Sequence, residues 1–269
     1  MTELKHMSYW YDPGMTVIRD ASMEAAEGRI YGLLGLNGSG KSTLLKLMAG
    51  LLFPKEGQVL HNGINAGDRD PATLRDIAFM PAEISLPKES LIRFVSLNSV
   101  FYPRFSRSIL DDCMKEFGID PETPDLGKLS LGYKHRFMLS CLLSLGTGLI
   151  LLDEPLNGMD PPSRTIFRKL LMRHLRDDQT VVMSTHIMND VEKIVTDVII
   201  VRNDGTLFCA SMSDMAEKYS YGISASAEGA LYAENCPEGF RVLRENTGRS
   251  EGDIPVEILF NAVTKGAIK

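Results

Sequence analysis

Gly35-Leu36-Asn37-Gly38-Ser39-Gly40-Lys41-Ser42-Thr43 decides the fold. The stretch fits G-x-x-x-x-G-K-[ST], the phosphate-binding P-loop. Gly35, Gly38 and Gly40 are read as taking backbone conformations closed to residues with a Cβ, which lets the chain approach a phosphate. Successive N–H groups, Asn37 and Ser39 among them, then point into one concavity that suits an oxyanion. A helix starting near Lys41 adds the positive end of its dipole. Lys41 is placed to reach the β- and γ-phosphates. The Ser42 hydroxyl is placed to ligate Mg²⁺, with Thr43 beside it.

The surroundings support the motif. Arg29 to Leu34 reads as a buried strand entering the loop, and Leu44, Leu45, Leu47 and Met48 give helical spacing after it. That helix is expected to run to about Leu52 and to stop before Pro54. Strand, loop and helix in this order are the context the motif requires.

Working outward, residues 4 to 34 read as β-rich, with turn signals at Asp12-Pro13-Gly14 and Glu27-Gly28. Val59-Leu60 and Ile77 to Met80 are further strands. From Ser90 to Ser144 helical periodicity dominates, broken near Pro121 and Pro124. Leu149 to Leu152 is fully apolar, as expected of a central parallel strand. Pro161 and Pro162 open a helix with Ile166, Leu170, Leu171 and Leu175 on one face. Thr180 to Met183 and Val198 to Val201 read as two more buried strands.

The expected fold is therefore α/β, a P-loop NTPase core of RecA-like type with a mostly parallel sheet. An N-terminal antiparallel β region, an inserted helical subdomain and a small C-terminal α+β appendage complete it. The expected division is a nucleotide-binding domain over 1–205, its helical subdomain at about 90–145, and an accessory region over 206–269 that ends in a helix near Val256 to Thr264.

Composition sets bounds. With 44% hydrophobic and 24% charged residues the chain reads as an ordinary soluble globular protein. A net charge of −6, without a Lys/Arg block, argues against nucleic acid as a partner. Cys113, Cys141, Cys209 and Cys236 form no C-x-x-C pair and read as reduced thiols in a cytosolic setting. No apolar run is long enough to span a bilayer. The segment Phe137 to Leu152 comes nearest, but Ser140, Ser144 and Gly146-Thr147-Gly148 interrupt it. The N-terminus does not read as a signal peptide.

Asp153-Glu154 closes the apolar run at 149–152. Acids at the carboxyl end of a parallel strand sit where open α/β sheets bind ligands. Asp153 suits the Walker-B task of holding Mg²⁺. Glu154 is then placed to orient or deprotonate a water that attacks the γ-phosphate. Two acids also end strands for no chemical reason, but a P-loop upstream in the same chain favours the chemical reading.

Here the chain resembles a known family. Leu129-Ser130-Leu131-Gly132-Tyr133 is similar to the L-S-G-G-Q signature of ATP-binding cassette (ABC) ATPases, with Arg136 at the usual basic position. Asp153-Glu154-Pro155 resembles the family's Walker B, Asn157-Gly158-Met159-Asp160 its D-loop, and Ser184-Thr185-His186 its switch histidine. The resemblance covers roughly residues 4 to 205, with five motifs in order.

The resemblance implies a set of roles. Ser130, as the N-cap of a helix with Gly132 in its first turn, forms a second anion site. In the family that site closes over the γ-phosphate held by the other protomer's P-loop. Two ATP molecules are thus sandwiched between a homodimer, or a heterodimer with a related ATPase. His186 hydrogen-bonds the γ-phosphate. Asp160 links the two sites, while also serving as a helix N-cap. An aromatic residue ahead of the P-loop stacks on adenine; Tyr11 is the choice, with Tyr9 and Trp10 as rivals.

Two departures stand out. Where the family usually has Gln after the strand Ile77 to Met80, this chain has Ala82, so either the neighbouring Glu83 substitutes for it or metal contact and signalling to the partner are weakened. The signature has Leu131 in place of its first Gly and Tyr133 in place of Gln.

The resemblance implies an ATPase subunit that uses ATP and Mg²⁺. An integral membrane permease subunit is the implied partner, and the cytoplasmic, inner face of the cell membrane the implied location. The compact insert and short appendage look like the ATPases of ABC-2-type exporters. Two alternatives are a soluble ABC ATPase acting in translation or on DNA, and a nucleotide-binding regulator with weak hydrolysis. One cassette without a heptad block favours the transporter reading over the first. Glu154 and His186 argue against the second.

Overall fold

Ile30–Leu34 is uncharged and fully buried, and it forms β3 near the middle of a six-stranded sheet. The structure, a computed structural model, describes residues 1–188, 192–246, 248 and 253–268. Chain order begins with β1 (Thr2–Trp10), β2 (Thr16–Ala25), β3 (Ile30–Leu34), α1 (Lys41–Met48), β4 (Glu56–His61) and β5 (Ile64–Asn65). There follow α2 (Pro71–Leu74), β6 (Ile77–Met80), α3 (Leu91–Ser99), α4 (Arg107–Glu116), α5 (Leu131–Ser144), β7 (Leu149–Asp153), α6 (Pro161–His174), β8 (Thr180–Ser184) and β9 (Asp197–Val201). The chain then forms β10 (Leu207–Ser211), α7 (Met212–Lys218), β11 (Tyr219–Ser224), β12 (Tyr232–Cys236), β13 (Gly239–Glu245) and α8 (Val256–Thr264).

The main sheet has the order β10-β9-β3-β8-β7-β6. Its pairs are parallel except β10, which runs antiparallel to β9 at the edge. This edge strand lies beyond residue 205, so the core sheet takes a strand from the segment read as an appendage.

Alternate residues of the parallel strands face opposite ways, and each face has its own core. Leu33, Leu149, Leu151, Val182 and Ile199 pack with α1 and the antiparallel sheet β2-β1-β4-β5. Leu34, Ile150, Leu152, Val181, Met183 and Ile200 pack with the helices and with α8. Strands buried on both faces read as continuous apolar runs, which is why they stand out in the sequence.

Helix α1 ends at Met48, four residues short of the expected end at Leu52. Gly50 takes φ +66° and Leu51 N–H donates to Lys46 O at 2.9 Å, a left-handed closure that stops the helix before Pro54 is reached. The helical block is present as α3, α4 and α5. Helices α3 to α6 start on the side chains of Ser90, Ser106, Ser130 and Asp160, each of which accepts an N–H from the first turn. Among the described residues, no helix is long and apolar enough to cross a membrane.

Candidate nucleotide site

Strands β3, β7 and β8 are adjacent and parallel, so their carboxyl ends deliver three loops to one edge of the sheet. The P-loop leaves β3, Asp153-Glu154 ends β7, and Ser184-Thr185-His186 ends β8.

Two of the three loop glycines need glycine for their backbone. Gly38 has φ +78° and Gly40 φ +107°. Gly35 does not take a positive φ; there a Cβ would collide with the Ser39 hydroxyl, so the constraint expected of its backbone is one of space. Gly40 is the N-cap of α1 and offers no side-chain acceptor. The first-turn amides therefore remain for an external anion. Ser39 Oγ is buried and has no hydrogen-bond partner among the described residues.

Lys41 is 8% exposed, and its Nζ donates to Gly35 O at 2.9 Å and Leu36 O at 3.1 Å. Burial lowers its pKa, and the nearby carboxylates of Glu154 and Asp153 oppose that. The ammonium thus lies in the field of both acids.

Asp153 is 3% exposed and is held by Ser184, whose Oγ donates to Oδ1 at 2.7 Å. The same hydroxyl oxygen accepts the Glu154 N–H at 2.9 Å. Ser184 therefore fixes both acids, a role the sequence reading did not give it. Glu154 sits at φ +49°, the left-handed region, which costs a non-glycine residue on the order of 1 kcal/mol. This turn directs its carboxylate to His186: Nδ1 lies 2.7 Å from Oε2, and the His186 N–H approaches the same oxygen at 3.4 Å.

Tyr11 flanks the P-loop. Its hydroxyl is 3.0 Å from Thr43 Oγ1, and its ring meets Tyr9 edge-on at 5.1 Å between centroids. It lines, with Val17, Gly38 to Thr43 and Asn203, a cleft of about 450 Å³. Tyr9 is buried at 6% exposure, whereas Tyr11 is 55% exposed, so Tyr11 has the free aromatic face.

Ser130 and Gly132 stand at the start of α5. They are outside the residues lining that cleft. Ser130 caps α5 through the Tyr133 N–H, and a Cβ on Gly132 would meet Gly158 O at 2.7 Å. Asp160 closes the same neighbourhood as the N-cap of α6, accepting the Ser163 N–H at 2.8 Å. Those Ser163 hydrogen bonds hold its carboxyl below the ordinary range. Tyr133 fills the usual Gln position with a tie of its own: its hydroxyl accepts the Asp120 N–H at 2.9 Å, and Arg136 stacks 5.2 Å from its ring.

Ala82 and Glu83 leave β6, whose last residue Met80 is level with Leu152 of β7. They emerge at the same sheet edge as Asp153, with Glu83 exposed. The four cysteines are free, and burial pushes the Cys113 thiol up to about 12.

Comparison with known proteins agrees with this fold. The family model described as "ABC transporter" matches residues 18–157. The chain is similar to the ABC transporter ATP-binding protein YtrB of Bacillus subtilis, with 28% identity over 221 residues, 81% of this chain and 75% of that protein. Among solved structures, an ATP binding subunit of an ABC transporter aligns with a TM-score of 0.72 at 26% identity, covering 80% of this chain and 91% of that one. A dimeric post-hydrolysis state of the ATP-binding cassette MJ0796, bound to ADP and Pi, aligns with a TM-score of 0.68 at 25% identity, covering 78% and 98%.

Proposed function

The chain belongs to the ABC transporter family as an ATP-binding, ATP-hydrolysing subunit, and from that premise we propose how its residues divide the work. The P-loop amides and Lys41 hold the phosphates, and Tyr11 stacks on adenine. The orphaned Ser39 hydroxyl and the uncapped start of α1 fit an oxyanion. The Ser42 hydroxyl and the Asp153 carboxylate are hard oxygen donors of the kind Mg²⁺ takes, with Glu83 as a further carboxylate at the same edge. When bound, the ion would neutralise charge between the β- and γ-phosphates.

Glu154 accepts a proton from the attacking water. The water oxygen bonds to the γ-phosphorus while the bond to the β–γ bridging oxygen breaks, giving ADP and phosphate. The His186 N–H and ring hold the Glu154 carboxylate before ATP binds, and the ring N–H donates to the γ-phosphate once it is in place.

The observation that carries the proposal is the separation of the parts. Lys41, Asp153, Glu154 and His186 follow three adjacent parallel strands at one sheet edge, whereas Ser130 and Gly132 open α5 against Gly158 and line no part of the cleft that the P-loop forms with Tyr11. A complete site therefore takes Ser130 and Gly132 from a second chain, a second copy or a related ATPase. Asp160, on the loop between the two groups of residues, links them across the dimer. Residues 1–205 together with the edge strand β10 act as the nucleotide-binding unit, with the block at about 90–145 as its helical part and the rest of 206–269 as an accessory.

Closure of the dimer on ATP and its reopening after hydrolysis drive a separate membrane permease, with this subunit peripheral on the inner face of the membrane. The compact helical block and short C-terminal region favour export. Two measurements test this. ATPase rate per chain should rise with protein concentration as dimers form, and a tagged copy should co-purify with a polytopic membrane protein from its own cells. A concentration-independent rate, or co-sedimentation with ribosomes or DNA instead, would contradict it.

A further inference from the structure

Helix α8 starts without a cap of its own. Its N-cap is Pro255, which has no side-chain acceptor, so the first-turn amides need a partner from elsewhere. Glu192 supplies one: its Oε1 accepts the Val256 N–H at 3.0 Å across 64 residues of chain. A carboxylate there also sits at the positive end of the helix dipole.

Glu192 belongs to the segment that follows His186. Its N–H donates to Met188 O at 3.0 Å, and the Ile187 N–H donates to the buried Thr185 Oγ1 at 2.9 Å. The His186 N–H and ring then reach Glu154. Hydrogen bonds at either end, joined by the backbone of 185–188, thus connect the first amide of α8 to the acid at the end of β7.

Packing follows the same route. Met188, Ile194 and Val195 share a core with Val256, Leu259, Phe260 and Val263. Val256 is 1% exposed and Leu259 fully buried, so α8 is a fixed platform. His186, Ile187 and Met188 form one wall of a cavity of about 340 Å³, and Glu257, Phe260 and Asn261 form the other. The His186 side chain itself is 56% exposed. Little packing holds the imidazole, so its place is set by its contact with Glu154 and by the backbone that carries it.

We propose that Glu192 is a positioning residue which, with α8, fixes where His186 stands. The C-terminal region thereby acts on phosphate chemistry instead of merely covering the core. This rests on the reading of His186 as the γ-phosphate ligand.

The test is a mutant cycle on the full chain. Glu192→Ala should lower kcat about tenfold. KM for ATP should stay within about twofold, because the P-loop contacts are untouched. Glu192→Gln keeps an acceptor and should recover most of the rate. Val256→Pro removes the same bond from the other side, at a first-turn position that suits proline, and should reproduce the loss. In a His186→Ala background, Glu192→Ala should have no further effect; the same loss there would overturn the proposal. A second arm needs no turnover. In NMR spectra without nucleotide, Glu192→Ala should move the His186 ring resonance and leave those of His6, His61, His135 and His174 in place. An unmoved His186 resonance would also overturn it. A wild-type protein with no ATPase would contradict the functional reading, and the NMR arm would still decide this one.

Discussion

Glu154 Oε2 lies 2.7 Å from His186 Nδ1, joining the acid that ends β7 to the imidazole that follows β8. An ionised carboxylate only accepts, so Nδ1 is the donor and the ring orients the base. His186→Ala removes that restraint and the contact to the γ-phosphate together. Its kcat is expected to fall on the order of a hundredfold, with ATP binding changed by no more than a few fold. Steady-state kinetics check this; a large loss of ATP affinity at normal kcat would contradict the role.

Lys41→Ala should act on the other parameter. The buried ammonium stands among the P-loop carbonyls and within the field of Asp153 and Glu154. Losing a charge-assisted contact to phosphate costs about 2–3 kcal/mol, roughly 30- to 150-fold in Kd. Calorimetric titration with ATP reads it, and an unchanged Kd would defeat the role.

Ser184 gives a prediction that depends on one hydroxyl. It donates to Asp153 and accepts from the Glu154 N–H. Ser184→Ala leaves a buried carboxylate without its donor and a strained backbone without its acceptor. The variant is expected to lose about 1–3 kcal/mol of stability and at least tenfold in kcat. Thermal denaturation alongside an ATPase assay measures both; loss of neither would contradict the bridging role.

The opposite end of the sheet carries a pH prediction. Asp76 accepts from His61 Nε2 at 2.9 Å and from the Gly148 N–H at 2.7 Å, and it pairs with Arg104. Burial raises its pKa, but these hydrogen bonds and the neighbouring charges outweigh burial and hold it below the ordinary 3.8. A depressed carboxyl contributes stability above its unfolded pKa and loses it as pH falls through the folded value. Asp76→Asn should therefore cost about 1–2 kcal/mol at neutral pH. Its stability should fall less than that of the wild type below about pH 4. Chemical denaturation across pH 2–7 checks this, and parallel curves would exclude Asp76 as the source.

The site was legible where its chemistry is local. Gly35 to Thr43, Asp153-Glu154 and His186 declare themselves because each sits at a strand end marked by a buried apolar run. The caps Ser130 and Asp160 are legible for the same reason, since a helix start is read from a few neighbouring residues. What was not legible depends on partners far away in sequence. Ser184 meets Asp153 across 31 residues and Glu192 meets Val256 across 64. The left-handed turn at Glu154 is imposed by tertiary contacts that no local propensity signals. Gly35 is an exception close in sequence: it reads as needing backbone freedom, whereas the turn of the P-loop brings Ser39 against it and makes the constraint one of space. Strand β10 reads as part of an appendage because nothing in its short run Leu207 to Ala210 says which sheet it joins; its pairing with β9 does.

The central claim is that the site is shared between two chains, and one measurement bears on it most directly. Glu154→Gln should bind ATP but not hydrolyse it, so the closed state accumulates. Multi-angle light scattering of this variant with ATP and Mg²⁺ should give twice the 29.8 kDa protomer mass, falling to one protomer when ADP replaces ATP. ATP bound by a variant that remains at 29.8 kDa would contradict the claim.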